Sequence, residues 1–293
     1  MYDLIIIGLG PAGINACIYA KRSNLNILVF EKNMPGGTLH TIKHVDNYLG
    51  YNNVDGTELA MLFYKQFKEL NVPMKNEEVI KVEVNDKEKT VITNNGSYNA
   101  KAIIIATGRG KQKLGIGNEN IPGVSTCAVC DGALYKDKTV AIYGNNPLML
   151  EDILYLSNIV KKLYVITSKD KLLGKDELLD KVNNLENIEL LFNQTIKKIN
   201  GISKIESIDL NDKTISIDGL FINNEYGPIT SFVKDLGITN DKGYIIADDN
   251  GKTKIDGIYV CGDSKAKTLY QIITAASEGA LAATDAYKYI KNY

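Results

Sequence analysis

Residues 4–31 read LIIIGLGPAGINACIYAKRSNLNILVFE, and 136 positions later residues 140–167 read VAIYGNNPLMLEDILYLSNIVKKLYVIT. The two stretches align without a gap: Gly8 falls on Gly144, Tyr19 on Tyr155, and the apolar run 27–30 on 163–166. Each copy is a short apolar strand, a tight turn, an amphipathic helix and a second apolar strand, which is one βαβ unit. Two such units predict two doubly wound α/β domains, each shaped to hold a nucleotide. The first copy carries Gly8, Gly10 and Gly13 at G-x-G-x-x-G spacing, with Pro11 and Ala12 between them. That spacing serves a tight turn, close backbone approach to a pyrophosphate, and close helix–strand packing, with the helix amides facing the phosphates. Glu31 ends the second strand, where a carboxylate can accept bonds from ribose hydroxyls.

In the second copy Asn146 stands for Gly10, Met149 for Gly13 and Thr167 for Glu31. A methionine at the helix–strand contact holds the helix off, and Asn146 brings a Cβ where backbone must meet phosphate. A 2′-phosphate calls for arginine near the end of the second strand. The chain has only Arg22 and Arg109, both upstream. The expectation is a nucleotide domain that kept its fold and lost its ligand; the alternative is an unusual loop that still takes NAD(P)H.

Between the repeats lies Cys127-Ala128-Val129-Cys130-Asp131. C-x-x-C sets two sulfurs within reach of one disulfide and can lower one thiol's pKa. Zinc needs a second pair, yet Cys17 and Cys261 are solitary and the two histidines, His40 and His44, sit elsewhere. A redox-active disulfide is the reading, against an inert buried pair. Asp131 is either a proton donor and acceptor for the thiolate or a helix N-cap. Cys17 and Cys261 read as core, and a loop holding His40 and His44 without a serine–acid pair argues against a hydrolase triad.

Thirty-four basic against thirty-five acidic residues in 293 give a formal charge of −1, which excludes a protein that blankets nucleic acid or anionic membrane. Hydrophobic content of 44% and charged content of 24% are those of a globular chain of about two domains. No segment reads as a signal peptide or membrane span, and four cysteines suit a reducing compartment, so a cytoplasmic location is expected.

Taken together, the order of GLGPAG with Glu31, then PGGTL (35–39), DNY (46–48), ATG (106–108), CAVCD (127–131), GIYVCGD (257–263) and YQI (270–272) resembles the low-molecular-weight bacterial thioredoxin reductases over nearly the full length. The resemblance implies FAD on a discontinuous first domain, residues 1–112 and 228–293, and a redox-dithiol domain at 113–227 with a degenerate NAD(P)H-binding-like fold. It implies that the glycine turn with Glu31 and Lys32 takes the ADP half. Gly37, Thr38 and Asn47 would lie by the flavin and ribityl, Gly262 and Asp263 by the ribityl or pyrophosphate, and Gln271 and Ile272 at the isoalloxazine. Val79, Ala106, Thr107 and Gly108 join this set. By the same analogy Cys130 faces the flavin and Cys127 exchanges with thioredoxin, in a homodimer.

NADPH-using members carry a second glycine-rich turn and a His-Arg-Arg cluster, replaced here by GNNPLM (144–149) and Thr167-Ser168-Lys169; Tyr270 stands where arginine is usual. In these respects the chain is similar to the ferredoxin-dependent flavin thioredoxin reductases. An acidic ferredoxin would want a basic patch, for which Arg109, Lys111 and Lys113, or Lys265 and Lys267, are candidates. Tyr48, Tyr270, Tyr289 and Tyr293 are candidate shields for the flavin, the last two across an interface. The rival readings are an NADPH enzyme with a divergent site, an oxygen-dependent dithiol oxidase, and a sensor that keeps FAD as a structural element.

Overall fold

The computed structural model describes residues 1–112, 114–224 and 226–293. The chain divides into two compact units, residues 1–110 with 227–293, and residues 111–226. The sequence reading expects the crossings at 112/113 and 227/228. Lys113 and Glu225, which belong to the expected connectors, lie outside the described residues.

The first unit opens with β1 (Tyr2–Ile7), α1 (Pro11–Arg22) and β2 (Ile27–Phe30). Then follow α2 (Gly56–Glu69), β3 (Met74–Lys75), β4 (Val79–Asn85), β5 (Glu88–Thr93) and β6 (Ser97–Ile105). Residues 4–7 of β1 are an unbroken apolar run because both faces are covered there: Leu4 and Ile6 enter one core with α1, Ile5 and Ile7 the other. β1 pairs in parallel with β2 and β6, while β4 and β5 form an antiparallel meander on the first half of β6.

β7 (Arg109–Lys111) leads to the second unit, whose elements are β8 (Val124–Ser125), α3 (Ala128–Asp131), β9 (Thr139–Gly144), α4 (Met149–Ser157), β10 (Lys162–Ile166), α5 (Asp176–Asn183) and β11 (Ile188–Leu191). A small antiparallel sheet of β12 (Lys198–Asn200), β13 (Ser207–Asp209) and β14 (Thr214–Ser216) precedes β15 (Gly219–Asn223). The main sheet is parallel, in the order β11-β10-β9-β15-β8. Val140 and Ile142 face α4, while Ala141 faces the antiparallel sheet, so this unit also has three layers.

The chain returns through β16 (Tyr226–Pro228), reaches β17 (Ile258–Val260) and ends in α6 (Ile272–Lys291). β17 adds in parallel to the second half of β6. α6 lies against α1, and Gly279 allows it: a Cβ there would stand 2.2 Å from the Ala12 carbonyl oxygen. The two expected Rossmann-like folds are present, with β1–α1–β2 and β9–α4–β10 as the repeated unit. Among the described residues no helix is long and apolar enough to cross a membrane.

Candidate functional site

Gly8, Glu31, Ala106 and Gly262 follow the carboxyl ends of four parallel strands of the first unit, the edge where open α/β sheets bind ligands. Each glycine of the first turn has its own steric reason. A Cβ on Gly8 (φ +99°) would lie 2.5 Å from the Ala106 oxygen, and one on Gly13 would lie 2.0 Å from the Gly8 oxygen. One on Gly10 would meet no protein atom within 4 Å. Gly8 and Gly13 therefore serve packing, and Gly10 borders open space.

Gly10 caps α1 without a side-chain bond, Pro11 is its first residue, and no acid occupies its first turn. The first amides and the positive end of the helix dipole are left for an anion. Room and donors both fit a pyrophosphate. Glu31 accepts from the Leu9 amide (2.8 Å) and the Asn33 amide (2.9 Å), one on each oxygen. Each oxygen keeps a further lone pair that a ribose hydroxyl can use. Lys32 turns instead to Glu78 (3.1 Å), and Val79 opens β4.

The remaining expected cofactor residues form three clusters. Gly37 (φ +62°) brings its backbone beside Gly10, and the exposed Thr38 follows it in a short helical turn. Asn47 sits in a small hairpin closed by Val45 and Val54, and its amide donates to Gln271 Oε1 at 2.9 Å. Two residues 224 apart in sequence are thus joined directly. Gln271 caps α6, of which Ile272 is the first residue.

In the third cluster the Gly262 amide donates to Glu278 Oε2 (2.8 Å), and Lys267 bridges Glu278 (2.9 Å) and Asp263 (3.5 Å). Ala12 packs beneath Gly262. Ala106 roofs Gly8, while Thr107 donates to the Ile229 carbonyl (2.6 Å) and Gly108 accepts from the Ile229 amide, which ties down the returning chain. Glu278 is a residue the sequence reading missed. Its spacing to Lys267 crosses from loop to helix, so no single-element pattern exposes it.

The second glycine turn is filled. Asn146 Nδ2 donates to the Asn223 carbonyl (2.9 Å) and to Asn223 Oδ1, and its Oδ1 accepts from the Leu148 amide (2.9 Å). Asn223 Nδ2 donates onward to Asp152. Met149 is buried and begins α4, so that helix lacks the residues matching the start of α1. Its first turn holds Glu151 and Asp152, where α1 holds no acid. Two carboxylates at a helix N-terminus oppose a phosphate. Thr167, at the place of Glu31, is fully buried. Burial pushes the Asp152 carboxyl up, against the pull of Lys111 and Asn223, and pushes the Lys111 ammonium down, against Asp152.

Cys127 and Cys130 form a disulfide, with Cα atoms 5.3 Å apart. Cys127 caps α3, and its sulfur accepts from the Cys130 amide at 3.2 Å. Asp131 makes no side-chain cap; its carboxylate accepts from Ser125 Oγ at 2.6 Å. The N-cap alternative for Asp131 is thereby corrected. Ser125, which the sequence reading missed, also accepts from the Cys127 amide at 3.0 Å.

Among the described residues, neither expected basic patch is a free surface. Lys265 is buried on the Asp248 carbonyl (2.6 Å), and Lys267 is held by the two acids named above. Arg109 stacks on Tyr270 (4.9 Å), and Lys111 donates to the Thr126 carbonyl (2.5 Å); Lys113 lies outside the described residues. The aromatic candidates are engaged within the first unit: Tyr48 on Phe63, Tyr270 on Tyr244, Tyr289 on Lys89, and Tyr293 over Lys87 and Lys101. Cys17 and Cys261 are fully buried, and burial raises both thiols far above their ordinary range. His40 binds the Pro35 carbonyl at 2.9 Å. Among the described residues no cluster is arranged to hold a metal ion.

The pyridine nucleotide-disulphide oxidoreductase family matches residues 2–279. A thioredoxin reductase of Listeria monocytogenes is 35% identical over 99% of this chain and 94% of its own. Among solved structures, Lactococcus lactis thioredoxin reductase in its FR conformation aligns over 100% of both chains, with 34% identity and a TM-score of 0.69. A ferredoxin-flavin thioredoxin reductase of Clostridium acetobutylicum aligns over 99% of this chain and 98% of its own, with 33% identity and a TM-score of 0.62. With a pyrophosphate cradle in one unit, a C-x-x-C disulfide in the other and relatives matched end to end, the chain belongs to the pyridine nucleotide-disulphide oxidoreductase family, as an FAD-binding flavoprotein of the thioredoxin reductase kind.

Proposed function

We propose that this protein reduces the disulfide of thioredoxin with electrons drawn from a ferredoxin and not from NADPH. One observation carries the choice of donor: the second nucleotide turn is closed by Asn146 on Asn223 and fronted by Glu151 and Asp152. A nicotinamide dinucleotide would have to break that network and seat its phosphates beside two carboxylates. The similarity to the clostridial ferredoxin-flavin enzyme supports the reading.

FAD, when bound, supplies the relay between a one-electron donor and a two-electron dithiol. Gly10, the α1 amides and Glu31 would hold its ADP half, and Asn47, Asp263 and Gln271 its flavin half. The reduced dithiol then acts by exchange. Cys127 attacks one sulfur of the thioredoxin disulfide and displaces the other as a thiolate; Cys130 attacks the mixed disulfide and releases the second thioredoxin thiolate. Asp131, which accepts from Ser125, would give or take the accompanying proton.

The driving force is sufficient. A ferredoxin at about −400 mV and thioredoxin at about −270 mV differ by ~130 mV, which for two electrons is on the order of 6 kcal/mol downhill. The test is steady-state thioredoxin reduction under anaerobic conditions, scored by free thiols on thioredoxin. Turnover with photoreduced ferredoxin and none with NADPH or NADH is expected; turnover with NADPH at a comparable rate would reject the donor. Sedimentation of the same preparation tests the proposed homodimer.

A further inference from the structure

The peptide bond that leads into Cys127 is held at both of its polar ends. Its carbonyl, that of Thr126, accepts from Lys111 Nζ (2.5 Å), and its N–H donates to Ser125 Oγ (3.0 Å). Neither holder is loose. Ser125 is engaged by Asp131, and Lys111 stands 3.9 Å from Asp152, which accepts from Asn223 in the turn that Asn146 fills. Lys111 is partly buried, its side chain 20% exposed, as is that of Asp152. A lysine drawn from water into contact with one carboxylate and one carbonyl needs both, because each replaces part of the lost hydration.

From this we infer that Lys111 is a positioning residue for the dithiol, and that the closed nucleotide turn now serves as its anchor. Fixing the Thr126–Cys127 peptide plane fixes the direction in which the Cys127 side chain leaves the backbone. It also fixes the N-cap geometry in which the Cys127 sulfur accepts from the Cys130 amide. A sulfur held in that bond is the better stabilised as a thiolate. In an NADPH-type turn the same space would be kept open for phosphate; here Asn146, Asn223 and Asp152 occupy it and pass their rigidity to Lys111. The inference deepens the exchange step proposed above, and its test does not depend on the electron donor.

The full-length flavoprotein is reduced with dithiothreitol, freed of reductant, and exposed to a limiting amount of iodoacetamide. The label is then located on Cys127 or Cys130 by peptide mass. Lys111→Met is expected to slow Cys127 alkylation about tenfold, with bound FAD unchanged, while Lys111→Arg, which keeps a charged donor, restores at least half of the rate. Because Asp152 without a cation beside it in a partly buried place can cost folding, the Lys111→Met/Asp152→Asn double variant is measured beside it and is expected to show the same slow alkylation. The same rate as wild type in the folded double variant, or equal slowing of Cys127 by Lys111→Arg and Lys111→Met, would overturn the assignment. Loss of ferredoxin-driven turnover without any change in alkylation would count against it as well. Slow alkylation in a protein that also accepts NADPH would leave it standing and reject only the donor.

Discussion

Gly10 and Gly13 lie three residues apart in one turn, yet substituting alanine at each should produce opposite patterns. At Gly13 the new Cβ would lie 2.0 Å from the Gly8 oxygen, against an ordinary contact of about 3.4 Å, and the atom in the way is backbone that cannot rotate aside. α1 must move off the sheet, and overpacking of this kind costs roughly 1–3 kcal/mol. For a unit of this size that lowers the melting temperature by roughly 2–12 °C, with or without FAD. At Gly10 the Cβ meets no protein atom, and the backbone (φ −78°) suits alanine. The apoprotein should therefore melt within about 1–2 °C of wild type, since such a change is worth within ~0.5 kcal/mol. FAD is a different matter, because the pyrophosphate must stand off by the width of a methyl group. Losing one charge-assisted bond of about 1.5–3 kcal/mol weakens binding roughly 10- to 150-fold. Apoprotein melting by circular dichroism and FAD titration by flavin fluorescence separate the two. A Gly10→Ala protein that binds FAD as tightly as wild type would refute the assignment of this turn to the pyrophosphate.

Cys127→Ser and Cys130→Ser should each abolish multiple-turnover thioredoxin reduction while leaving FAD content unchanged, and Cys130→Ser should trap a mixed disulfide visible on non-reducing gels. Asn146→Gly removes four side-chain hydrogen bonds from the second turn. It should lower stability to urea by roughly 1–3 kcal/mol without creating NADPH affinity, because Glu151 and Asp152 remain. The Cys17 thiol, raised far above its ordinary range by burial, stays protonated in the folded state. Its folded pKa exceeds the unfolded one, so its contribution to stability is full below about pH 8.5 and is lost above it at about 1.4 kcal/mol per pH unit. Urea unfolding of wild type and Cys17→Ala between pH 7 and 10 should show their difference shrinking by that slope; a constant difference would contradict it.

The fold was legible because both βαβ units keep the strand period and the turn spacing, and because residues 4–7 of β1, 102–105 of β6 and 140–142 of β9 are buried and form unbroken apolar runs. The asymmetry between the turns was legible in part. Asn146, Met149 and Thr167 flagged the loss, and Glu151 with Asp152 was a further signal in plain sight, since α1 has no acid at the equivalent place. What stayed hidden were the partners. Nothing in the spacing joins Asn47 to Gln271, Lys111 to Asp152 or Gly262 to Glu278, because these bonds cross between elements and depend on topology. For the same reason Lys265, Lys267, Arg109 and Lys111 read as surface cations in sequence and are internal anchors in the fold. Ser125 carried a weak local signal, a hydroxyl two residues before the Cys127 cap of a short helix, as side-chain turns often place it.

The first glycine turn is shaped for a dinucleotide, and the second closes on its own side chains. The most direct measurement is anaerobic mixing of the oxidised flavoprotein with excess NADPH, with NADH and with reduced ferredoxin, followed at the flavin absorbance near 450 nm. Loss of that band within the mixing experiment for ferredoxin, and an unchanged band for both nicotinamides, is the predicted result. Prompt bleaching by NADPH would contradict it.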